Sequence, residues 1–226
     1  MAKWLIDPGH GGVDSGASYK GRRECDDVLR LSLRVGELLK NNNESGHYTR
    51  VTDNTISLNE RSSKENNGGF DYFISIHRNA YKQELAKGSE IHVYANGSVA
   101  EQLANKVNSE VIKNGFINRG IKVSNFHVLR ETRCPAILLE VGFIDNTSDN
   151  FIFDSKFEQI AQSIVKGCLL QIGKVINSST NNLNNDELYY RCIVGSFKKR
   201  GNAESRKSEL IEKGYKDTFI EVYKRK

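Results

Sequence analysis

Residues 3–12 read Lys3-Trp4-Leu5-Ile6-Asp7-Pro8-Gly9-His10-Gly11-Gly12, an apolar run of strand length that breaks into a glycine-rich turn. Lys3–Ile6 fits a short buried strand, and the glycines allow the tight backbone of a strand-to-loop exit. Two further apolar runs stand out: Tyr72-Phe73-Ile74-Ser75-Ile76-His77, which also ends in a histidine, and Pro135-Ala136-Ile137-Leu138-Leu139-Glu140-Val141. Between the opening stretch and Tyr72, residues Val28, Leu31, Val35, Leu38 and Leu39 recur at helical spacing, with Glu24 four residues before Val28 on the same face. Strands are also expected at Tyr48–Thr52, Gly88–Tyr94 and near Phe126–Leu129. Helices are expected at Leu58–Asn66, Val99–Lys113 and Lys156–Gly173, and Arg119-Gly120 reads as loop. This alternation predicts an α/β domain with a mostly parallel sheet covered on both faces.

The chain has 226 residues, 38% hydrophobic and 27% charged, with two prolines; this excludes collagen-like, coiled-coil and wholly disordered classes and leaves room for one or two domains. No apolar run reaches the roughly 18 residues that span a bilayer, and the N-terminus lacks an apolar signal-peptide core. Synthesis in the cytoplasm without an export signal, and no membrane partner, are therefore expected. Cys25, Cys134, Cys168 and Cys192 form no Cys-x-x-Cys pair and read as reduced packing residues. Residues 177–187 begin Asn-Ser-Ser-Thr-Asn-Asn and hold too little apolar surface to fold, so they read as a linker between a large domain, 1–176, and a small one, 188–226. Residues 187–226 carry 11 Lys and Arg against 6 Asp and Glu, while the preceding residues balance at 22 against 22, so the whole net charge of +5 belongs to the tail. A strand at Tyr189–Val194, a helix at Ala203–Lys213 opened by Asn202 and a strand at Thr218–Val222 would make one βαβ unit.

His10, Glu24 and His77 place polar groups where strands end or an apolar helix face begins. Two imidazoles and one carboxylate suit zinc with a fourth position open for water. Both histidines sit at C-terminal strand ends, where the functional groups of parallel sheets collect. Each also has an ordinary reading: His10 as a loop cap, His77 as a hydrogen-bonded strand-end histidine, Glu24 as a first-turn acid facing the helix dipole. His47, His92 and His127 read as ordinary histidines. Glu140 interrupts an apolar strand, where a carboxylate is costly unless paired, protonated or beside a metal. A structural ion pair and a general base with raised pKa both fit it.

Taken in order, Asp7-Pro8-Gly9-His10-Gly11-Gly12, Glu24, Ser75-Ile76-His77-Arg78-Asn79-Ala80 and Leu139-Glu140-Val141-Gly142-Phe143-Ile144 resemble the signature set of the zinc-dependent N-acetylmuramoyl-L-alanine amidases. The resemblance covers about residues 2–175 and implies a twisted mixed sheet flanked by helices. It implies that His10, Glu24 and His77 bind zinc (Zn2+) and that Glu140 is the catalytic acid/base. The implied reaction is hydrolysis of peptidoglycan at the amide between N-acetylmuramic acid and L-alanine of the stem peptide, by a zinc-activated water. Arg61, Asn79 and Glu90 stand at recurrent family positions without an assigned role. A phage endolysin released by a holin is the expected setting, with a host autolysin or a spore-related amidase as the alternative. The competing functions are an inactive wall-binding protein and a zinc carboxypeptidase acting within the stem peptide.

In the tail, Tyr190–Lys198 with Ala203, Leu210 and Gly214-Tyr215 resembles half of a sporulation-related repeat (SPOR) domain. That resemblance implies binding to glycan stripped of its peptides. A half-length module leaves a sheet edge open, which predicts self-association or docking on the catalytic domain. The clusters Lys198-Lys199-Arg200 and Lys224-Arg225-Lys226 read as solvated surface or as contacts with anionic wall polymers, rather than with nucleic acid.

Overall fold

A computed structural model describes residues 1–174, 195, 197–215 and 218. The chain divides into two compact units, Met1–Asn177 and Ser178–Lys226. The first unit contains β1 (Lys3–Pro8), β2 (Ser18–Tyr19), β3 (Arg22–Arg23), α1 (Glu24–Asn41), β4 (Ser45–Tyr48), α2 (Leu58–Gly68), β5 (Tyr72–Asn79) and β6 (Ser89–Val93). It continues with α3 (Val99–Val111), β7 (Asn118–Val123), α4 (His127–Arg130), β8 (Ala136–Phe143), α5 (Thr147–Ser155) and α6 (Phe157–Gln171).

Six of the strands form one sheet in the order β4-β1-β5-β8-β6-β7. β4, β1, β5 and β8 run parallel, β6 pairs antiparallel with β8, and β7 runs parallel to β6. The fold is thus the mixed, mostly parallel sheet that the sequence predicts. Because successive strand residues face opposite sides, the apolar runs divide between two cores. Ile6, Ile74, Ile76, Ile91, Ile137 and Leu139 pack with Val28, Leu31, Val35 and Leu39 of α1 and with apolar residues of α3 and α6. Leu5, Phe73, Ala136 and Leu138 face the other way, against Val128 and Leu129 of α4. On that second face the residues at the same parity nearer the C-terminal ends of β1, β5 and β8 are Asp7, Ser75, His77 and Glu140. The apolar cover gives way there to polar side chains.

Two strand expectations need correction. The strand expected near Phe126–Leu129 is the short helix α4, whose Val128 and Leu129 fill the smaller core. The strand lies earlier, at Asn118–Val123, and includes the Arg119-Gly120 pair read as loop. Its polar composition follows from its place at the sheet edge. Its pairing with β6 is irregular between Ser89 and Ile91, where Gly120 adopts a φ of 79°. The strand expected at Tyr48–Thr52 instead ends at Tyr48, opposite Ile6 of β1.

Cys25, Cys134 and Cys168 are free thiols, and Cys192 lies outside the described residues. Among the described residues no helix is long and apolar enough to cross a membrane. In the second unit a helix, α7, spans Arg200–Glu212, starting three residues before the expected Ala203 and preceded by Lys199 rather than capped by Asn202. The expected strands Tyr189–Val194 and Thr218–Val222 lie outside the described residues, Thr218 excepted.

Candidate metal centre

Beyond β1 the chain turns sharply, and His10 takes a φ of 57°, in the left-handed region that is costly for a residue with a Cβ. Two buried arginines hold this turn. Arg61 donates to Asp7 Oδ1 at 2.6 Å, to the Pro8 carbonyl at 2.7 Å and to the His10 carbonyl at 2.7 Å. Arg50 donates to the carbonyls of Pro8 at 3.1 Å and Gly9 at 2.7 Å. A capping box between Ser57 and Glu60 starts α2 and sets Arg61 in its first turn. Asp7, only 1% exposed, also accepts from the hydroxyls of Thr49 and Ser75.

The fixed turn presents His10 to α1. Asp14 Oδ2 lies 2.8 Å from His10 Nδ1, and His10 Nε2 lies 3.1 Å from Glu24 Oε1. His77 Nδ1 approaches the same oxygen at 3.0 Å. The two imidazoles stand edge to face with centroids 4.9 Å apart. Glu24, the first residue of α1, is held by the backbone: its Oε1 accepts the Arg78 N–H at 3.0 Å and its Oε2 the Ala17 N–H at 2.9 Å. Such closeness requires glycine on two sides. A Cβ at Gly16 would stand 2.6 Å from both Glu24 Oε2 and His10 Cδ2, and one at Gly9 would overlap the His77 imidazole.

One ligand atom from each of His10, Glu24 and His77 lies within 4.8 Å of the others. Two imidazole nitrogens and a carboxylate oxygen converging on one point are a donor set for a divalent cation such as zinc, and Asp14 behind His10 orients a ring in the way carboxylates do behind metal-bound histidines. The electrostatics favour positive charge here. Burial opposes protonation of His10, but Glu24 and Asp14 prevail and raise it to about 9. Burial pushes Glu24 up, yet the two imidazoles hold it well below the usual carboxylate range. A second group of possible donors, Cys25, Asp26 and Asp53, is already bridged by Arg23, which contacts Asp26 at 2.5 Å and Asp53 at 3.2 Å.

Glu140 stands opposite His77 in the β5–β8 pairing. Its Oε2 is sealed from solvent and has no hydrogen-bond partner among the described residues. Burial pushes its carboxyl up to about 7, with the His77 imidazole opposing and the neighbouring acids Glu24 and Glu90 reinforcing. No arginine neutralises it, so the structural ion pair that the sequence left open is absent among the described residues. Arg78, the buried cation nearest in sequence to His77, is engaged instead by Asp27 at 2.7 Å and Asn150 at 2.7 Å.

The structure therefore gathers His10, Glu24 and His77 at one point, with Glu140 on the adjacent strand. His47, His92 and His127 bond Ser45, Ser124 and Ser62 and take no part in the cluster. Sequence reasoning missed Asp7, Asp14 and Arg50. Asp7 carried a usable signal, an acid at the end of an apolar strand, whereas Asp14 looks like a solvated loop residue and Arg50 like a polar residue of the strand expected at Tyr48–Thr52 until the chain is folded. Arg61, singled out without a role, is the clamp on the His10 turn, and Asn79 donates to Glu90 at 2.9 Å.

Known proteins resemble the chain in both sequence and fold. It is 36% identical over 219 residues to the N-acetylmuramoyl-L-alanine amidase CwlM of Bacillus licheniformis, covering 95% of this chain and 83% of that protein. It is 37% identical over 223 residues to the sporulation-specific N-acetylmuramoyl-L-alanine amidase of Bacillus subtilis, with the same two coverages, 95% and 83%. The crystal structure of an N-acetylmuramoyl-L-alanine amidase from Clostridium difficile 630 superposes with a TM-score of 0.73 at 34% identity, over 76% of this chain and 97% of the other. A family model described as N-acetylmuramoyl-L-alanine amidase matches residues 5–169, a span that contains the three residues of the cluster and the neighbouring Glu140. The chain belongs to this family, the Amidase_3 N-acetylmuramoyl-L-alanine amidases.

Proposed function

We propose that the protein hydrolyses the amide joining the lactyl group of N-acetylmuramic acid to the L-alanine of a stem peptide, with His10, Glu24 and His77 holding zinc and Glu140 moving the protons. One observation carries this reading: a three-donor cluster faces, one strand away, a carboxyl with one oxygen sealed from solvent, without a hydrogen-bond partner among the described residues and poised near neutrality. Zinc, when bound, supplies the Lewis acidity that polarises a carbonyl and makes a water nucleophilic near neutral pH. The protein's own residues do the rest. Asp14 fixes the His10 ring, and the Ala17 and Arg78 amides fix both oxygens of Glu24, so the donors need little reorganisation. With a pKa of about 7, Glu140 exchanges a proton readily, taking one from the attacking water and returning it to the departing alanine nitrogen.

In the same reading residues 1–176 are the catalytic domain, 177–187 a linker and 188–226 a SPOR-like module that holds the enzyme on peptide-free glycan and pairs with a second copy. Two features support a separate tail that belongs with the amidase: the division into two compact units, and matches to two Bacillus amidases so long that they extend past residue 177. The site of action is the bacterial wall, as an endolysin or an autolysin. The test is mass spectrometry of digested wall together with metal analysis. New L-alanine N-termini, lost when chelator removes zinc, support the reading, whereas cleavage within the stem peptide or undiminished release without metal overturns it.

A further inference from the structure

The polar row that begins with His77 and Glu140 continues across β6 and β7. Glu90, 4% exposed, stands opposite Glu140 in the β6–β8 ladder. Its Oε2 accepts from Arg119 Nε and from Lys122 Nζ, both at 2.6 Å, while its Oε1 accepts from Asn79. One carboxylate thus gathers two cations from the sheet-edge strand. The adjacent His92, whose pKa burial holds below the usual value against the pull of Glu90, also lies 3.3 Å from Glu90 Oε1. One positive charge is left over. The guanidinium of Arg119 lies 5.0 Å from the centre of the Phe143 ring, its terminal nitrogens have no hydrogen-bond partner among the described residues, and the Arg119 and Lys122 side chains are 35% and 40% exposed.

A cation that only neutralised Glu90 would not need a second beside it. The unused N–H edge of a guanidinium matches a carboxylate in two-pronged geometry, and a neighbouring ammonium strengthens such a contact. We propose that Arg119 and Lys122, anchored by Glu90, form the subsite for a free carboxylate on the peptide side of the scissile bond, carried by the acidic residue that follows L-alanine. The inference rests on the amidase reading given above. Neighbouring strands lie about 4.8 Å apart, so Glu90 sits one spacing beyond Glu140, the group assigned to protonate the departing nitrogen, and Arg119 and Lys122 reach back to it from β7, the next strand. Successive residues of a peptide are about 3.8 Å apart at Cα, so a carboxyl on the residue after alanine reaches that far. The peptide would then run from β8 over β6 toward β7, leaving the glycan on the β1 side.

The test compares two muropeptides that differ only at this carboxyl, free in one and converted to the carboxamide in the other, with the full-length zinc-loaded enzyme. The wild type is expected to prefer the free acid by about tenfold in kcat/KM, in line with a charge-assisted hydrogen bond. Arg119→Gln and Lys122→Gln, separately and together, are expected to bring that ratio toward one. Equal rates of the wild type on both muropeptides overturn the subsite, and so does an acid preference that survives in the double variant. The wild-type comparison needs no variant to fold. If the wild type cleaves neither muropeptide, the amidase reading itself has failed, an outcome distinct from the loss of preference.

Discussion

His77 and Glu140 stand directly opposite each other on the parallel strands β5 and β8, so an imidazole aimed at Glu24 and a carboxyl with no hydrogen-bond partner among the described residues share one face of the sheet. The pairing separates two tasks. His77 belongs to a cluster that concentrates negative charge for a cation, whereas Glu140 remains outside it with a proton to exchange.

Glu140→Gln is therefore expected to keep zinc and lose activity. The loss should be about 10^2- to 10^4-fold or more, the usual worth of a positioned acid or base. Thermal stability should not fall, because the change removes a buried carboxylate that nothing neutralises. Retained zinc with full activity would take Glu140 out of the mechanism.

His10→Ala and His77→Ala should lose zinc, and Asp14→Ala should weaken zinc binding by about 10- to 100-fold through the ring it orients. Competition with a chromophoric chelator measures all three. Wild-type affinity in Asp14→Ala would show that the Asp14–His10 contact has no part in holding metal.

Removing Asp7 should cost stability rather than chemistry alone. Asp7→Ala strands Arg61 in a buried site and leaves the hydroxyls of Thr49 and Ser75 without their acceptor. Breaking a buried ion pair costs about 3–5 kcal/mol, which denaturant melts of the isolated variant should report. A change within the noise would mean that Arg50 alone secures the turn.

The acid limb of stability should depend on Glu84. The Thr147 hydroxyl and amide and the Tyr19 hydroxyl donate to its carboxylate and hold its pKa down at about 2. A depressed carboxylate stabilises the fold fully above its unfolded value of 4.5, and that contribution disappears as pH falls toward about 2. Glu84→Gln should thus lower Tm most above pH 4.5, with the deficit shrinking on acidification. A deficit independent of pH would contradict the assignment.

Deleting residues 177–226 should reduce binding to intact wall and lysis of whole cells more than hydrolysis of soluble muropeptides. Equal losses in both assays would argue against a targeting role for the tail.

Much of the sheet was legible because its central strands are apolar runs: β1, β5 and β8 are buried on both faces and announce themselves by composition. β7 was not, since its sequence, Asn118-Arg119-Gly120-Ile121-Lys122-Val123, is that of an exposed edge whose Ile121 alone packs against the main core. The apolar pair Val128-Leu129 drew the strand expectation away from it, although those residues cover the smaller core from a single helical turn. At the site, His10 and His77 stood out at the ends of apolar strands, Glu24 at the start of an apolar helix face and Glu140 within an apolar run. Asp14 and Arg50 did not, because their importance lies in which turn they touch.

The most direct test of the central claim is to strip the full-length protein with chelator and titrate zinc back while counting L-alanine N-termini released from purified wall. The account predicts no release from the stripped protein and full recovery at a single equivalent of zinc, with His77→Ala failing to recover. Release that proceeds unchanged in the stripped protein would contradict it.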